Sequence, residues 1–200
     1  MRSEHWMARC ALFEKETPVI PKNGIIFLGD SITEEFEFSR HFGEASVINR
    51  GISGDTIDGV TDRLNISVFD LQPSRIFLMI GVNDIGSGFG SNEIKSNYTK
   101  LIELITKNLP QTKLVVQNIL PCSLEWGQST VDQIKEINKF IEKLCRNRGI
   151  QFLNLYNSFV DAKGYLRENY TRDGLHLNSK GYSIWAKILE ESLLPGTNNG

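Results

Sequence analysis

Apolar residues recur along this chain in two alternating rhythms. Short continuous runs are one: Ile25-Ile26-Phe27-Leu28, Val47-Ile48-Asn49, Arg75 to Ile80, Lys113 to Leu120 and Ile150 to Leu155. Turn residues bound them, with Gly24 and Gly29 around the first, Gly81 after the third and Pro121 after the fourth. Runs of this kind read as strands buried on both faces. The other rhythm steps by three and four, the spacing of one helix face. It links Ile94, Tyr98, Leu101, Ile102, Ile105 and Leu109, then Val131, Ile134, Ile137, Ile141 and Leu144, then Tyr182, Trp185, Ala186, Leu189 and Leu193. Asp55 to Leu64 reads as a further helix and Thr33 to Phe42 as a short, less regular one. Residues 1–21 are expected to wrap the outside, and the tail Pro195 to Gly200 to fray.

Strand–helix alternation implies an α/β fold with a five-stranded parallel sheet and helices on both faces. The chain has 200 residues, 40% of them hydrophobic, which suits one domain over 1–200 with a core from about 22 to 194. Basic and acidic residues number 22 and 24 and are interspersed, giving a net charge of -2. That balance argues against nucleic acid or an anionic membrane as a partner. The apolar runs are too short to span a bilayer. Met1 to Arg9 is polar and charged and does not read as a secretory signal. The expected location is cytoplasmic if this N-terminus is native, extracytoplasmic if a leader has been removed. Cys10, Cys122 and Cys145 have no metal-site spacing and read as reduced structural thiols.

The chemistry falls at strand ends, where parallel sheets bind ligands. Gly29-Asp30-Ser31 follows the first strand, Gly51-Ile52-Ser53-Gly54-Asp55 the second and Gly81-Val82-Asn83-Asp84 the third; Asp173 to His176 lies beyond the fifth. Ser31 at a strand-to-helix turn is either a helix cap or a nucleophile awaiting a base. Among His5, His41 and His176, only His176 has a carboxylate three residues earlier in a glycine-containing loop. Asp173 can hold its Nδ1 proton and aim Nε2 at Ser31, or simply form a turn. The Ser31 N–H, the Gly54 N–H and the Asn83 amide are candidate donors to an oxyanion; Gly54 and Asn83 are also ordinary turn residues.

These segments in this order resemble the SGNH (GDSL) hydrolases: Gly-Asp-Ser-Ile-Thr at 29–33, Asn-Arg-Gly-Ile-Ser-Gly-Asp-Thr at 49–56, Gly-Val-Asn-Asp at 81–84 and Asp-Gly-Leu-His-Leu-Asn at 173–178. Arg50 before Gly51 and Gly181-Tyr182 after the last block are similar to the platelet-activating-factor acetylhydrolase-like branch. The resemblance implies a flavodoxin-like three-layer α/β/α sandwich. It further implies a Ser31 nucleophile, an Asp173–His176 pair and an oxyanion hole of Ser31, Gly54 and Asn83.

The expected activity is hydrolysis of short-chain esters, acetyl first, with O-acetyl groups on carbohydrate among the candidate substrates, through an acyl-enzyme. The expected partner is a small-molecule ester, with a homodimer possible, and the reaction needs no metal or organic cofactor. Substrate contacts are expected from Ile85 to Gly90, which carries Phe89, and from Pro121 to Gln128, which offers Trp126. The alternatives are a thioesterase or lysophospholipase acting on longer chains, or a binding module without turnover. A flavodoxin-type nucleotide site is disfavoured, because Asp30 puts a carboxylate where phosphates would sit.

Overall fold

The computed structural model describes residues 2–42 and 47–193. Its strands are β1 (Ile25–Gly29), β2 (Val47–Gly51), β3 (Arg75–Met79), β4 (Lys113–Gln117) and β5 (Gln151–Leu153). They form one sheet in the order β2-β1-β3-β4-β5, with every neighbouring pair parallel. The described helices are α1 (Glu4–Glu16), α2 (Ser31–Glu34), α3 (Phe38–Phe42), α4 (Ile57–Asp62), α5 (Val82–Gly86), α6 (Ser91–Asn108), α7 (Gln128–Arg148), α8 (Tyr156–Phe159) and α9 (Ser179–Leu193). This strand order is the flavodoxin-like one, in which the chain reverses direction across the sheet between β1 and β3. In sheets of this kind that switch point, at the carboxyl ends of the strands, is where ligands bind.

Strand side chains alternate between two cores, as a period of two demands. Ile26, Leu28, Ile76, Leu78, Leu114 and Val116 face the core shared with α4, α6 and α7. Phe27, Phe77, Met79 and Val115 face the other, with Phe36, Phe38, Phe159, Trp185 and Leu189. That second core is aromatic. Phe27 stacks on Phe77 with centroids 4.6 Å apart, and Phe36 lies 4.8 Å from Trp185. The buried Trp185 indole donates to Gln117 Oε1 at 2.8 Å, which satisfies both groups away from water.

The strand ends differ from the sequence expectation. β4 stops at Gln117 rather than Leu120, because asparagine side chains take over as backbone partners. Asn138 of α7 accepts from the Ile119 N–H and donates to its carbonyl, both at 2.8 Å. Asn118 Oδ1 accepts the N–H groups of Leu155 and Tyr156 at 2.9 and 3.0 Å, and its amide donates to Asn154 Oδ1. β5 is therefore reduced to Gln151–Leu153. The segment Thr33 to Phe42 divides into the end of α2 and α3. The helix expected over Asp55 to Leu64 begins at Ile57, capped by Thr56.

The N-terminal residues do more than wrap the exterior. They form α1, capped by Ser3, which buries Cys10 and Phe13 against Ile52 just past β2. The tail Pro195 to Gly200 lies outside the described residues. All three cysteines are free and buried. Among the described residues no helix is long and apolar enough to cross a membrane.

Replacing Trp185 by alanine should cost about 3–5 kcal/mol of unfolding free energy in urea titrations. Trp185→Phe should cost less, but still about 1–3 kcal/mol, because Gln117 Oε1 loses its buried donor. A phenylalanine variant as stable as the parent would show that this hydrogen bond contributes nothing.

Candidate active site

The site is assembled from the rim of the sheet. Ser31 opens α2 directly after β1, and Asp30 caps that helix by accepting the Ile32 N–H at 3.0 Å. As the first helical residue, Ser31 has an N–H with no partner inside the helix. The turn is tight enough to require Gly29. A Cβ there would lie 2.3 Å from Thr33 Oγ1 and 2.4 Å from the Met79 carbonyl oxygen. Ser31 itself is only 6% exposed.

The loop before α9 brings His176 to it from 145 residues away: Ser31 Oγ and His176 Nε2 are 3.0 Å apart. His176 Nδ1 is 2.7 Å from Asp173 Oδ2. A proton on Nδ1 donates to that carboxylate and leaves the Nε2 lone pair facing the serine hydroxyl. The other carboxylate oxygen of Asp173 accepts the N–H groups of His176 and Leu175 at 2.8 and 3.0 Å. Thr171 locks the loop by donating its hydroxyl to the His176 carbonyl at 2.7 Å. Burial alone would raise the Asp173 carboxyl, but the bonds from the imidazole and the two N–H groups outweigh it and bring it to about 2. Asp173 is therefore an anion throughout the neutral range.

Gly54 and Asn83 meet through the residue between them in space. Gly54 has φ +77°, a left-handed conformation that glycine adopts without strain. Its neighbour Asp55 offers its carbonyl to Asn83 Nδ2 at 2.9 Å. An amide carries two such protons, so one remains for a ligand. The Asp55 side chain is held by the buried Arg63 at 2.8 Å and by the Trp6 indole at 3.0 Å. Asp84 accepts the Ile57 N–H at 3.1 Å. Asp55 and Asp84 thus brace the loop between β2 and α4, as Asp30 braces the turn after β1.

The two remaining sequence candidates differ from each other. Trp126, 43% exposed, sits on a loop joined to the histidine loop: Trp126 N–H donates to the Ser123 carbonyl, and Ser123 N–H donates to the Gly174 carbonyl at 2.8 Å. Phe89 is tied to the first turns of α7, where its carbonyl accepts from Gln133, and is 38% exposed. Sequence reasoning missed Glu34, Ser53, Trp6 and Arg63. Only Glu34 gave a signal, lying three residues after Ser31 in the same helical turn.

Fold and site together define a class: a doubly wound parallel sheet with a serine–histidine–aspartate array at its carboxyl rim. The chain belongs to the GDSL-like lipase/acylhydrolase family, whose profile matches residues 27–184, and is thus an ester hydrolase of that family. It is 27% identical over 180 residues to platelet-activating factor acetylhydrolase IB subunit alpha2 of Rattus norvegicus, covering 85% of this chain and 76% of that one. A GDSL-like lipase structure from Bacteroides thetaiotaomicron superposes with a TM-score of 0.83 at 24% identity, covering 92% of this chain and 97% of that one. A catalytic mutant of an acetylxylan esterase from Geobacillus stearothermophilus has the same fold, with a TM-score of 0.70 at 17% identity and coverages of 86% and 94%.

Burial raises the carboxyls of Asp30 and Asp84 to about 7, against the opposing N–H bonds from Ile32 and Ile57. A folded-state value raised from 3.8 means that the native protein binds more protons than the unfolded chain across that interval. Their contribution to stability is fully present below the lower value and is lost as pH rises through the higher one. Asp173 acts in the opposite sense, its contribution fading only as pH falls from 3.8 toward about 2. Asp84→Asn keeps an acceptor for Ile57 and cannot ionise. Its melting temperature should fall less than that of the parent between acidic and neutral pH. Identical slopes in the two proteins would remove Asp84 from this account.

Proposed function

We propose that this protein is a serine esterase that removes short acyl groups, acetyl first, from hydroxylated small molecules, carbohydrates included. The observation that carries the reading is the unbroken series from Ser31 Oγ to His176 Nε2 at 3.0 Å and from His176 Nδ1 to Asp173 Oδ2 at 2.7 Å. Ser31 attacks the ester carbonyl while His176 takes its proton, and Asp173 stabilises the imidazolium. The tetrahedral oxyanion is received by the N–H groups of Ser31 and Gly54 and by the Asn83 amide. His176 protonates the departing alcohol, then deprotonates the water that attacks the acyl-enzyme, and finally returns the proton to Ser31. No step calls on a cofactor.

The acetyl preference draws on the names of two similar proteins, an acetylhydrolase and an acetylxylan esterase. Trp126, half-exposed beside the histidine loop, offers a flat apolar face on which a sugar ring or the body of the alcohol can rest. Phe89, 38% exposed and tied through its carbonyl to Gln133 of α7, is the second aromatic side chain we assign to substrate contact.

Ser31→Ala should abolish hydrolysis of p-nitrophenyl acetate and labelling by a fluorophosphonate while the fold is retained. Asn83→Ala should lower kcat by on the order of 10²–10³. Unchanged kcat would exclude Asn83 as an oxyanion donor. Across p-nitrophenyl esters of increasing length kcat/KM should peak at acetate; a maximum at octanoate or longer would favour the thioesterase or lysophospholipase reading.

A further inference from the structure

Glu34 closes the same helical turn that Ser31 opens, yet its carboxylate reaches into the neighbouring loop. Glu34 Oε2 accepts the Ser53 N–H at 2.5 Å and the Ser53 hydroxyl at 2.6 Å. Ser53 immediately precedes Gly54, so the peptide carrying the Gly54 N–H is anchored on one side by these bonds. On the other side it is anchored by Asp55, whose carbonyl meets Asn83 and whose carboxylate meets Trp6 and Arg63. Glu34 is in turn held from α1, by the Arg9 guanidinium at 3.1 Å and by His5 Nε2 at 3.0 Å. Its side chain is only 17% exposed. Burial opposes its charge, but the hydrogen bonds from Ser53 and His5 and the positive charge of Arg9 prevail and keep its carboxyl below the usual range.

We propose that Glu34 is a positioning residue that sets the distance between the Ser31 and Gly54 N–H groups. This rests on the reading of those groups as oxyanion donors and names what fixes their separation. Two donors can share one developing charge only if their spacing is set before the reaction, and misplacement by an ångström costs about 10²-fold in rate. Ser31 and Gly54 follow different strands of the sheet, β1 and β2, with no peptide bond to register them. The Glu34 side chain supplies a strut from α2 to the Gly54 loop, and its link to α1 makes the N-terminal helix part of that strut.

Three substitutions separate reach from charge. Glu34→Gln keeps the length and one acceptor oxygen for Ser53. Glu34→Asp keeps the charge but falls a methylene short, and Glu34→Ala keeps neither. With p-nitrophenyl acetate as substrate, the aspartate and alanine variants should lose about 10- to 100-fold in kcat with KM within about threefold of the parent. The glutamine variant should recover most of that loss. Inhibition by a trifluoromethyl ketone, whose serine adduct places an oxyanion in the hole, should weaken by the same factors in the same order. If Glu34→Ala does not fold, the glutamine and aspartate variants alone decide the matter. Aspartate outperforming glutamine would show that charge on α2, not reach to Ser53, is what counts, and would overturn the proposal. All variants within about twofold of the parent would also overturn it. Failure of the underlying reading is visible separately: the parent protein would neither hydrolyse esters nor react with a fluorophosphonate, and the proposal would fall with it.

Discussion

The geometry of the rim depends on one buried cation. Arg63 lies beyond α4 with its guanidinium wholly removed from solvent, and each part of that fork has a partner. Nε meets Asp55 Oδ2 at 2.8 Å, Nη1 meets Ser67 Oγ at 3.1 Å and Nη2 meets the Gly29 carbonyl at 3.1 Å. Gly29 is two residues before Ser31, and Asp55 is one residue after Gly54. The same planar group therefore holds the end of β1 and the loop after β2. A buried ion pair is weak grounds for claiming stability, since desolvation offsets much of its attraction. Its effect here is to select one arrangement: with any partner displaced, a charge is left unpaired in the interior, which disfavours alternative loop conformations.

Around that centre the molecule separates support from chemistry. Asp30, Asp55 and Asp84 are buried and spend their oxygens on backbone N–H groups, an indole and a guanidinium. Asp173 is the exposed carboxylate of the site, with a side chain 43% accessible, and it meets the imidazole. Its ionisation is secured by hydrogen bonds, whereas burial works against charge on Asp30 and Asp84. Four aspartates at one rim thus divide into three that shape backbone and one that can steady a transient positive charge. Environment, not residue type, makes the division.

Much of this was legible in the chain because it depends on local period. The five strands and the long helices α6, α7 and α9 announce themselves through spacing alone, and the motifs fall where strands end. What escaped depends on tertiary partners. The premature ends of β4 and β5 come from Asn118 and Asn138 competing for backbone groups, and nothing local marks those asparagines as brackets. Helix α1 carried a signal, Trp6, Cys10 and Phe13 at steps of four and three, but exposed Met7 and Leu12 dilute the stripe. Arg63 looks like a surface charge until the fold surrounds it, and Glu34 is marked only by its place one turn after Ser31. In the sequence, Ser31 and His176 are linked by elimination among three histidines, an argument open only because the chain has so few, and the two side chains stand 3.0 Å apart.

The wall that carries Trp126 is hydrogen-bonded through Ser123 to Gly174, in the very loop that presents His176. With Trp126 and His176 in the roles proposed for them, selectivity and turnover are mechanically linked in this scaffold. A mutation that reshapes the wall to admit a different alcohol also tugs on the imidazole. On that reading, new substrates along this edge would be reached by changes of side chain on a constant backbone, and insertions or deletions there would cost activity.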